Sequence, residues 1–314
     1  MEKGVRMSYI GIDCGSSACK VVLIDAKKNI IKKYSENVHG NVVGTIKNVF
    51  EKMKLDKSKL YRIGITGSSR ILLSKLLHTN IVKSELIAHS IGAIDIVPNV
   101  RTIIEIGGQD SKLIIIENEM IKDFKVNSVC AAGTGAFLES QSNRLGFDIS
   151  EFDTLADAST SPANISGKCS VFMESAVINQ QKLGVCNSDI AKALCDSMAD
   201  NYYNELIKGR KLESPIYMQG GVARISNVVS ALSRIIDSPI KVMDECEYIG
   251  AYGMALCALR SKSPEIYLCD YSNLEKYNMS TIKCSACPNK CMIMKYHNND
   301  GSEFLIGGMC GKYI

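Results

Sequence analysis

The sequence predicts an α/β protein that contains a duplicated unit and ends in a cysteine-rich segment. A strand–turn–strand pattern with a small polar turn occurs twice, and each copy continues into a further hairpin. The chain has 314 residues, of which 46% are hydrophobic, so it is long enough for about two domains with buried cores. Five of its 13 cysteines lie after residue 262, where the helical and strand periodicities weaken.

The first copy begins with short apolar runs that are typical of buried strands. These runs predict strands at 9–13, 21–25, 30–34 and 61–66, and the apolar spacing over 41–53 predicts a helix. Helical patterns then continue to about residue 95.

The second copy follows Pro98. Strands are predicted at 102–106, 113–117 and 120–126, and later at 215–219, with helices at 227–236 and 249–259. Residues 20–25 align with residues 112–117, which indicates either two similar apolar hairpins by coincidence or a duplicated α/β unit with two similar facing loops.

Composition and charge exclude several classes of function. The 37 basic and 33 acidic residues give a net charge of +4, which argues against a nucleic-acid binder with a strong basic face. No apolar run approaches the ~20 residues that span a bilayer, and the first residues lack the apolar core of a signal peptide. We expect a cytoplasmic protein that binds neither nucleic acid nor membrane.

The first turn carries residues suited to phosphate and magnesium. Asp13 ends a strand, where its carboxylate can bind hydrated Mg²⁺. Gly15 permits close backbone approach, and Ser16 and Ser17 add hydroxyl groups to the backbone donors. An ordinary polar hairpin turn is the alternative interpretation.

Three further glycine-containing segments resemble phosphate-binding elements. Gly107, Gly108, Gln109 and Asp110 form the second turn, and we predict that Asp110 repeats the role of Asp13 while Gln109 orients the attacking water. Gly133, Thr134 and Gly135 precede a helix whose free N–H groups would favour an anion. Gly220 and Gly221 follow a strand, where a base or ribose could lie. Each glycine pair alone could be only a tight turn or a helix cap.

The C-terminal segment predicts one metal centre within a single chain. Cys284, Cys287 and Cys291 have the spacing of a metal-binding loop, and Cys310 follows two glycines. Zinc would make the site structural, whereas an iron–sulfur cluster would add a redox centre. Three clustered cysteines without a ligand are the alternative. The cysteines at 14, 19, 186, 195, 246, 257 and 269 are predicted to be packing residues.

Four motifs together resemble the ATP-dependent activators of 2-hydroxyacyl-CoA dehydratases and the related ATPase subunits of benzoyl-CoA reductase. They span residues 11–20, 106–112, 127–139 and 218–223, and the resemblance covers about residues 8–260. It implies an actin-like, sugar-kinase-like fold with ATP in the cleft. The implied domains are 1–97, completed by a helix at 249–262, and 98–248, with 263–314 as the extension.

The resemblance also implies site residues and partners. It adds Lys20 and Val222 to the nucleotide site and makes Cys130 and Cys169 ligands of one 4Fe-4S cluster. The cluster would be shared by two subunits, because one chain supplies two of the four thiolates that a cubane needs. A homodimer, a ferredoxin- or flavodoxin-type electron donor and an iron–sulfur acceptor, such as a dehydratase or reductase component, are implied with it.

We therefore expect an ATPase that delivers a low-potential electron from the shared cluster to its acceptor in an anaerobic cytoplasm. A small-molecule kinase of this fold is the first alternative, although no motif identifies its catalytic base. A regulator that senses ATP and binds a partner is the second.

Overall fold

The structure is a computed structural model that describes residues 8–56, 59–127, 130–165, 169–264, 266–267, 277–298 and 301–313. The chain divides into two compact units, the first formed by Met1–His89 with Gly250–Ile314 and the second by Ser90–Ile249. Within the described ranges, no helix combines the length and apolarity needed to cross a membrane.

The helices and strands follow one another in chain order. They are β1 (Ser8–Cys14), β2 (Ala18–Ile24), β3 (Ile30–Asn37), α1 (Val42–Lys52), β4 (Leu60–Thr66), α2 (Arg70–Leu76), β5 (Ile81–Val82), α3 (Glu85–Ile96), β6 (Thr102–Ile106), β7 (Ser111–Glu117), β8 (Met120–Asn127), α4 (Gly135–Leu145), α5 (Phe152–Asp157), α6 (Ser170–Lys182), α7 (Asn187–Tyr202), β9 (Ile216–Gln219), α8 (Ser226–Ile235), β10 (Ile240–Val242), α9 (Ile249–Arg260), β11 (Ile266–Tyr267), β12 (Tyr277–Lys283), β13 (Met292–Asn298) and β14 (Glu303–Gly307).

The first unit is built on a sheet with strand order β11-β4-β1-β2-β3, and β5 pairs with β4. Strand β1 is antiparallel to β2 and parallel to β4. Helix α9 lies very close to this sheet, because a Cβ atom at Gly11 would be 1.8 Å from the Ala251 carbonyl oxygen and one at Gly64 would be 2.4 Å from that of Met254. Glycine at both positions therefore lets the helix backbone pack directly on β1 and β4.

The second unit repeats this arrangement. Its sheet has the order β10-β9-β6-β7-β8, with β6 antiparallel to β7 and parallel to β9. The register irregularity between Leu23 and Ile24 of β2 recurs between Ile115 and Ile116 of β7, at the same distance from the aligned lysines. The predicted duplication is thus confirmed down to an equivalent irregularity in the hairpin.

The C-terminal extension forms a separate antiparallel sheet with the order β12-β13-β14. Tyr296 of β13 stacks on Phe304 of β14, with ring centroids 5.0 Å apart. Phe304 also packs against the apolar core of the first unit. This contact attaches the extension to the first unit, although few of the extension's described residues are themselves buried.

Candidate functional site

The turn between β1 and β2 is closed by a hydrogen bond from the Gly15 N–H to the Ala18 carbonyl oxygen (3.0 Å), and it places Ser16 and Ser17 at its tip. The Ser17 Oγ is buried and has no hydrogen-bond partner among the described residues. Lys20 is half-buried and forms no ion pair within the described part of the chain. An unsatisfied hydroxyl and an uncommitted ammonium group fit a phosphate ligand, because a buried polar atom without a partner is costly.

The turn between β6 and β7 has the same geometry. The Gly107 N–H donates to the Asp110 carbonyl oxygen (3.0 Å), which makes Asp110 the counterpart of Ala18. The strand register pairs Glu105 with Lys112, as it pairs Asp13 with Lys20.

Glu105 therefore occupies the strand position equivalent to Asp13, whereas Asp110 lies in the turn, and the role predicted for Asp110 stays a prediction. The sequence contains the signal, because Asp13 and Glu105 lie the same number of residues before the aligned lysines. The counterpart of Asp13 is found by counting back from Lys112 into strand β6, whereas Asp110 belongs to the turn.

Lys112 links both acidic side chains of this second turn. Its Nζ lies 3.0 Å from the Glu105 Oε2 and 2.8 Å from the Asp110 Oδ1. The side chains of Lys112 and Glu105 are each only 4% exposed, whereas Asp110 is 31% exposed. The buried Tyr202 hydroxyl donates to the Lys112 carbonyl oxygen (2.7 Å), and burial raises the pKa of Tyr202 far above its ordinary value. Lys112 thus holds Asp110 at the turn while it neutralises Glu105 beneath.

The start of α4 does not present the free N–H groups that the sequence predicts. The Gly135 N–H donates to the Gly107 carbonyl oxygen (2.8 Å), and the Ala136 N–H donates to that of Gly108 (2.9 Å). The Thr134 N–H is also bonded, to the Ala131 carbonyl oxygen. The Gly135 and Ala136 donors instead fix the backbone of the second turn, so the start of α4 supports this loop.

The segment that follows β9 packs against the same turn. Gly220 has a φ of 90°, and a Cβ atom there would lie 2.3 Å from the Ile106 carbonyl oxygen and 3.1 Å from the Glu105 Oε1. Val222 approaches Gly135, where a Cβ atom would lie 3.1 Å from the Val222 Cγ2. Only Gly221 of this segment faces open space, with nothing within 4 Å of its Cβ position. The second unit thus brings its three predicted glycine segments together at the second turn.

Asp13 is the acidic side chain of the first turn that suits a metal. Its side chain is 12% exposed at the end of β1, and its Oδ2 lies 3.9 Å from the His89 Nε2. One carboxylate next to a phosphate-binding turn is a donor set that Mg²⁺ accepts, since Mg²⁺ uses one or two carboxylates together with phosphate oxygens. The residues of the first unit therefore fit a magnesium–nucleotide ligand.

Cys130 and Cys169 each precede a helical segment of the second unit. The Asn127 side chain accepts from the Cys130 N–H (2.9 Å) and donates to the Cys130 carbonyl oxygen (3.0 Å). A short 3₁₀ turn at Ala131–Gly133 follows Cys130 and lies against α6, which begins directly after Cys169. Asn127 fixes the backbone of Cys130 in a way that spacing alone did not indicate.

The surroundings of Cys169 are open and apolar. Cys169 is exposed, and Val171 and Phe172, two and three residues further along the chain, are 65% and 70% exposed. Two accessible thiols in adjacent segments fit half of the donor set of a cubane, and a second chain would have to complete it.

The remaining described cysteines follow the packing prediction with one exception. Four are buried and Cys257 is half-buried; the buried ones are Cys14, Cys19, Cys195 and Cys246. Cys186 is exposed in front of α7, so its assignment as a packing residue is wrong. Cys269 lies outside the described residues.

The four cysteines of the extension all lie at one end of its sheet. Cys284 follows β12 and Cys291 precedes β13, with the Cys284 N–H donating to the Cys291 carbonyl oxygen (2.8 Å). Cys287 lies between them, and Cys310 follows β14 at the same end, because Gly307 pairs with Ile293. Nevertheless, among the described residues no three Cys, His, Asp or Glu side chains converge closely enough to hold a metal ion. The backbone brings the four segments together, but the thiols themselves are not gathered.

Comparison with known proteins agrees with these features. The BadF/BadG/BcrA/BcrD ATPase family matches residues 10–258. The chain is 35% identical over 254 residues to the (R)-2-hydroxyglutaryl-CoA dehydratase activating ATPase of Acidaminococcus fermentans. The aligned region covers 80% of this chain and 96% of that protein.

Two solved structures are also similar. Component A of the Acidaminococcus fermentans (R)-2-hydroxyglutaryl-CoA dehydratase has a TM-score of 0.74 and 34% identity, covering 81% of this chain and 98% of that one. The activator of the 2-hydroxyisocaproyl-CoA dehydratase from Clostridium difficile, with bound ADPNP, has a TM-score of 0.73 and 31% identity, covering 81% and 94%. The actin-like, sugar-kinase-like fold is confirmed, and the chain belongs to the BadF/BadG/BcrA/BcrD ATPase family.

Proposed function

We propose that this ATPase uses ATP hydrolysis to deliver a low-potential electron to an iron–sulfur acceptor, such as a 2-hydroxyacyl-CoA dehydratase or a related reductase component. The observation that carries the proposal is the pair Cys130 and Cys169. Both precede helical segments of the unit that holds three glycine loops, and these segments lie side by side. The positive end of α6 favours an anionic group next to Cys169.

A 4Fe-4S cluster bound by the two cysteines of each subunit in a homodimer would supply a one-electron centre. The electron enters from a reduced ferredoxin- or flavodoxin-type donor and leaves to the acceptor. Such a shared cluster is oxygen-labile, so we expect the protein to work in an anaerobic cytoplasm. Relatives named as dehydratase activators support this role.

Nucleotide binding is assigned to loops that each unit contributes. Gly15, Ser16, Ser17 and Lys20 of the first unit bind phosphate, and Asp13 binds Mg²⁺. In the second unit, Lys112 holds Asp110 at the turn, where Asp110 and the adjacent Gln109 orient the attacking water. Gly107 and Gly108 shape this turn, and the segments at 133–135 and 220–222 support it.

The first test measures iron and acid-labile sulfide per subunit on anaerobically purified protein, together with its visible spectrum. Replacing Cys130 or Cys169 by Ala should abolish the colour and the iron bound by the core while nucleotide binding persists. Cys186→Ala is a matched control, because Cys186 is also an exposed cysteine in front of a helix. A colourless parent protein, or unchanged core iron in the double variant, would contradict the proposal and favour a kinase or an ATP-sensing regulator.

The second test separates hydrolysis from binding. Asp110→Asn should lower the rate of ATP hydrolysis far more than it weakens nucleotide binding, because the lost charge matters most where transition-state charge develops. Asp123→Asn, an exposed carboxylate on β8, should change neither. Unchanged turnover in Asp110→Asn would remove Asp110 from the hydrolytic site.

We also propose that the four cysteines of the extension bind one metal centre, with iron–sulfur slightly favoured over zinc. Their positions at one end of the β12–β14 sheet support this assignment. Because metal binding supplies folding free energy to small domains, it would draw the thiols together.

The test of this centre measures the metal content of full-length protein that lacks Cys130 and Cys169, with and without Cys284→Ala. One equivalent of zinc or one cluster should depend on Cys284. Absence of metal, with all four thiols of the extension alkylated in the native protein, would refute this assignment.

A further inference from the structure

The carboxylate of Asp13 lies next to two elements that follow it in the chain. His89 reaches it from α3, with its Nε2 3.9 Å from the Asp13 Oδ2. The two side chains are 7% and 12% exposed, respectively, so this pair is largely screened from solvent.

The first turn of α9 adjoins the same carboxylate oxygen and the imidazole. A Cβ atom at Gly250 would lie 2.5 Å from the Asp13 Oδ2 and 3.0 Å from the His89 Cε1. Only glycine leaves room for the carboxylate and the imidazole together. The position of α9 is itself fixed, because its backbone packs directly on β1 at Gly11.

The equivalent carboxylates of the two units have different neighbouring side chains. In the second unit, Glu105 is paired with Lys112, the lysine directly across the hairpin. In the first unit, the corresponding Lys20 forms no ion pair among the described residues, and His89 contacts Asp13 from another element. A contact from α3 therefore leaves Lys20 available for phosphate.

We propose that His89 is a positioning residue, which orients the Asp13 carboxylate toward the magnesium ion of the bound nucleotide, and that Gly250 provides the space for this arrangement. This inference rests on the proposed role of Asp13. Residues that hold a metal-binding carboxylate in place typically contribute 10–100-fold to metal affinity. His89 therefore increases the affinity for nucleotide only when Mg²⁺ is bound, and it does so through its contact with Asp13.

The test measures the dissociation constant of a non-hydrolysable ATP analogue with Mg²⁺ and with EDTA. His89→Ala should weaken binding about tenfold in Mg²⁺ and leave binding in EDTA unchanged. His89→Gln, which keeps a polar donor, should recover part of the loss. His78→Gln, at an exposed histidine of the same unit, is the control and should match the parent protein.

Two outcomes would overturn the inference. One is that neither dissociation constant changes in His89→Ala, and the other is an equal fold-loss in both conditions, which a purely structural role would produce; in either case the ratio of the two constants stays that of the parent protein. If His89→Ala does not fold, His89→Gln and His89→Asn decide by the same ratio. Asp13→Asn separates this failure from that of the proposed function, because an unchanged ratio in that variant means that Asp13 itself does not bind the metal.

Discussion

Replacing Lys112 by Met should destabilise the second unit strongly. The change removes the charge that is paired with the buried Glu105 side chain, since both groups are 4% exposed and the Lys112 Nζ lies 3.0 Å from the Glu105 Oε2. Removing one partner of a buried pair typically costs about 3–5 kcal/mol, because the other charge is left uncompensated. The contact with Asp110 adds little, since that carboxylate is 31% exposed.

The assay is urea unfolding of the parent protein, Lys112→Met, Glu105→Gln and the double variant. The double variant should recover a large part of the loss, because it leaves no buried charge. Lys20→Met is the matched control at the equivalent position of the first unit. It should cost less than about 1 kcal/mol, because the half-buried Lys20 forms no ion pair among the described residues. A cost below about 1 kcal/mol for Lys112→Met, or a double variant no better than the single one, would refute this reasoning.

Two further predictions concern the second unit. Gly220→Ala should destabilise the protein by more than about 1 kcal/mol in the same unfolding assay, because the φ of Gly220 is 90° and the new Cβ atom would lie 2.3 Å from the Ile106 carbonyl oxygen. Gly221→Ala is the control and should be nearly neutral, because the Cβ position of Gly221 faces open space. Hydrogen bonds from the Ser159 hydroxyl and the Ser161 N–H lower the pKa of Asp189, so its contribution to stability is complete above the unfolded value of about 3.9 and is lost as the pH falls through the lower folded value. Asp189→Asn should therefore flatten the acid side of the stability profile, and an unchanged acid midpoint would contradict this assignment.

Local sequence patterns determined much of the fold. Apolar alternation and turn residues placed the hairpins of both units, and the predicted helix at 41–53 is observed as α1 with Asn41 capping it through the Gly44 N–H. These features depend on neighbours within a few residues, which a sequence displays directly. The four motifs likewise indicated the family, because their order along the chain is a property of the sequence.

Tertiary structure decided which groups meet. The strand register made Glu105 the counterpart of Asp13. The first N–H groups of α4 donate hydrogen bonds to carbonyl oxygens of the second turn. His89 lies near Asp13 although 75 residues separate them in the chain, and α9 packs on β1 at Gly11. Strand register and long-range packing determine these contacts, whereas a sequence motif indicates only which donors and acceptors are present. A backbone donor is available to a ligand only if no other part of the chain accepts its hydrogen bond, and the tertiary structure decides this.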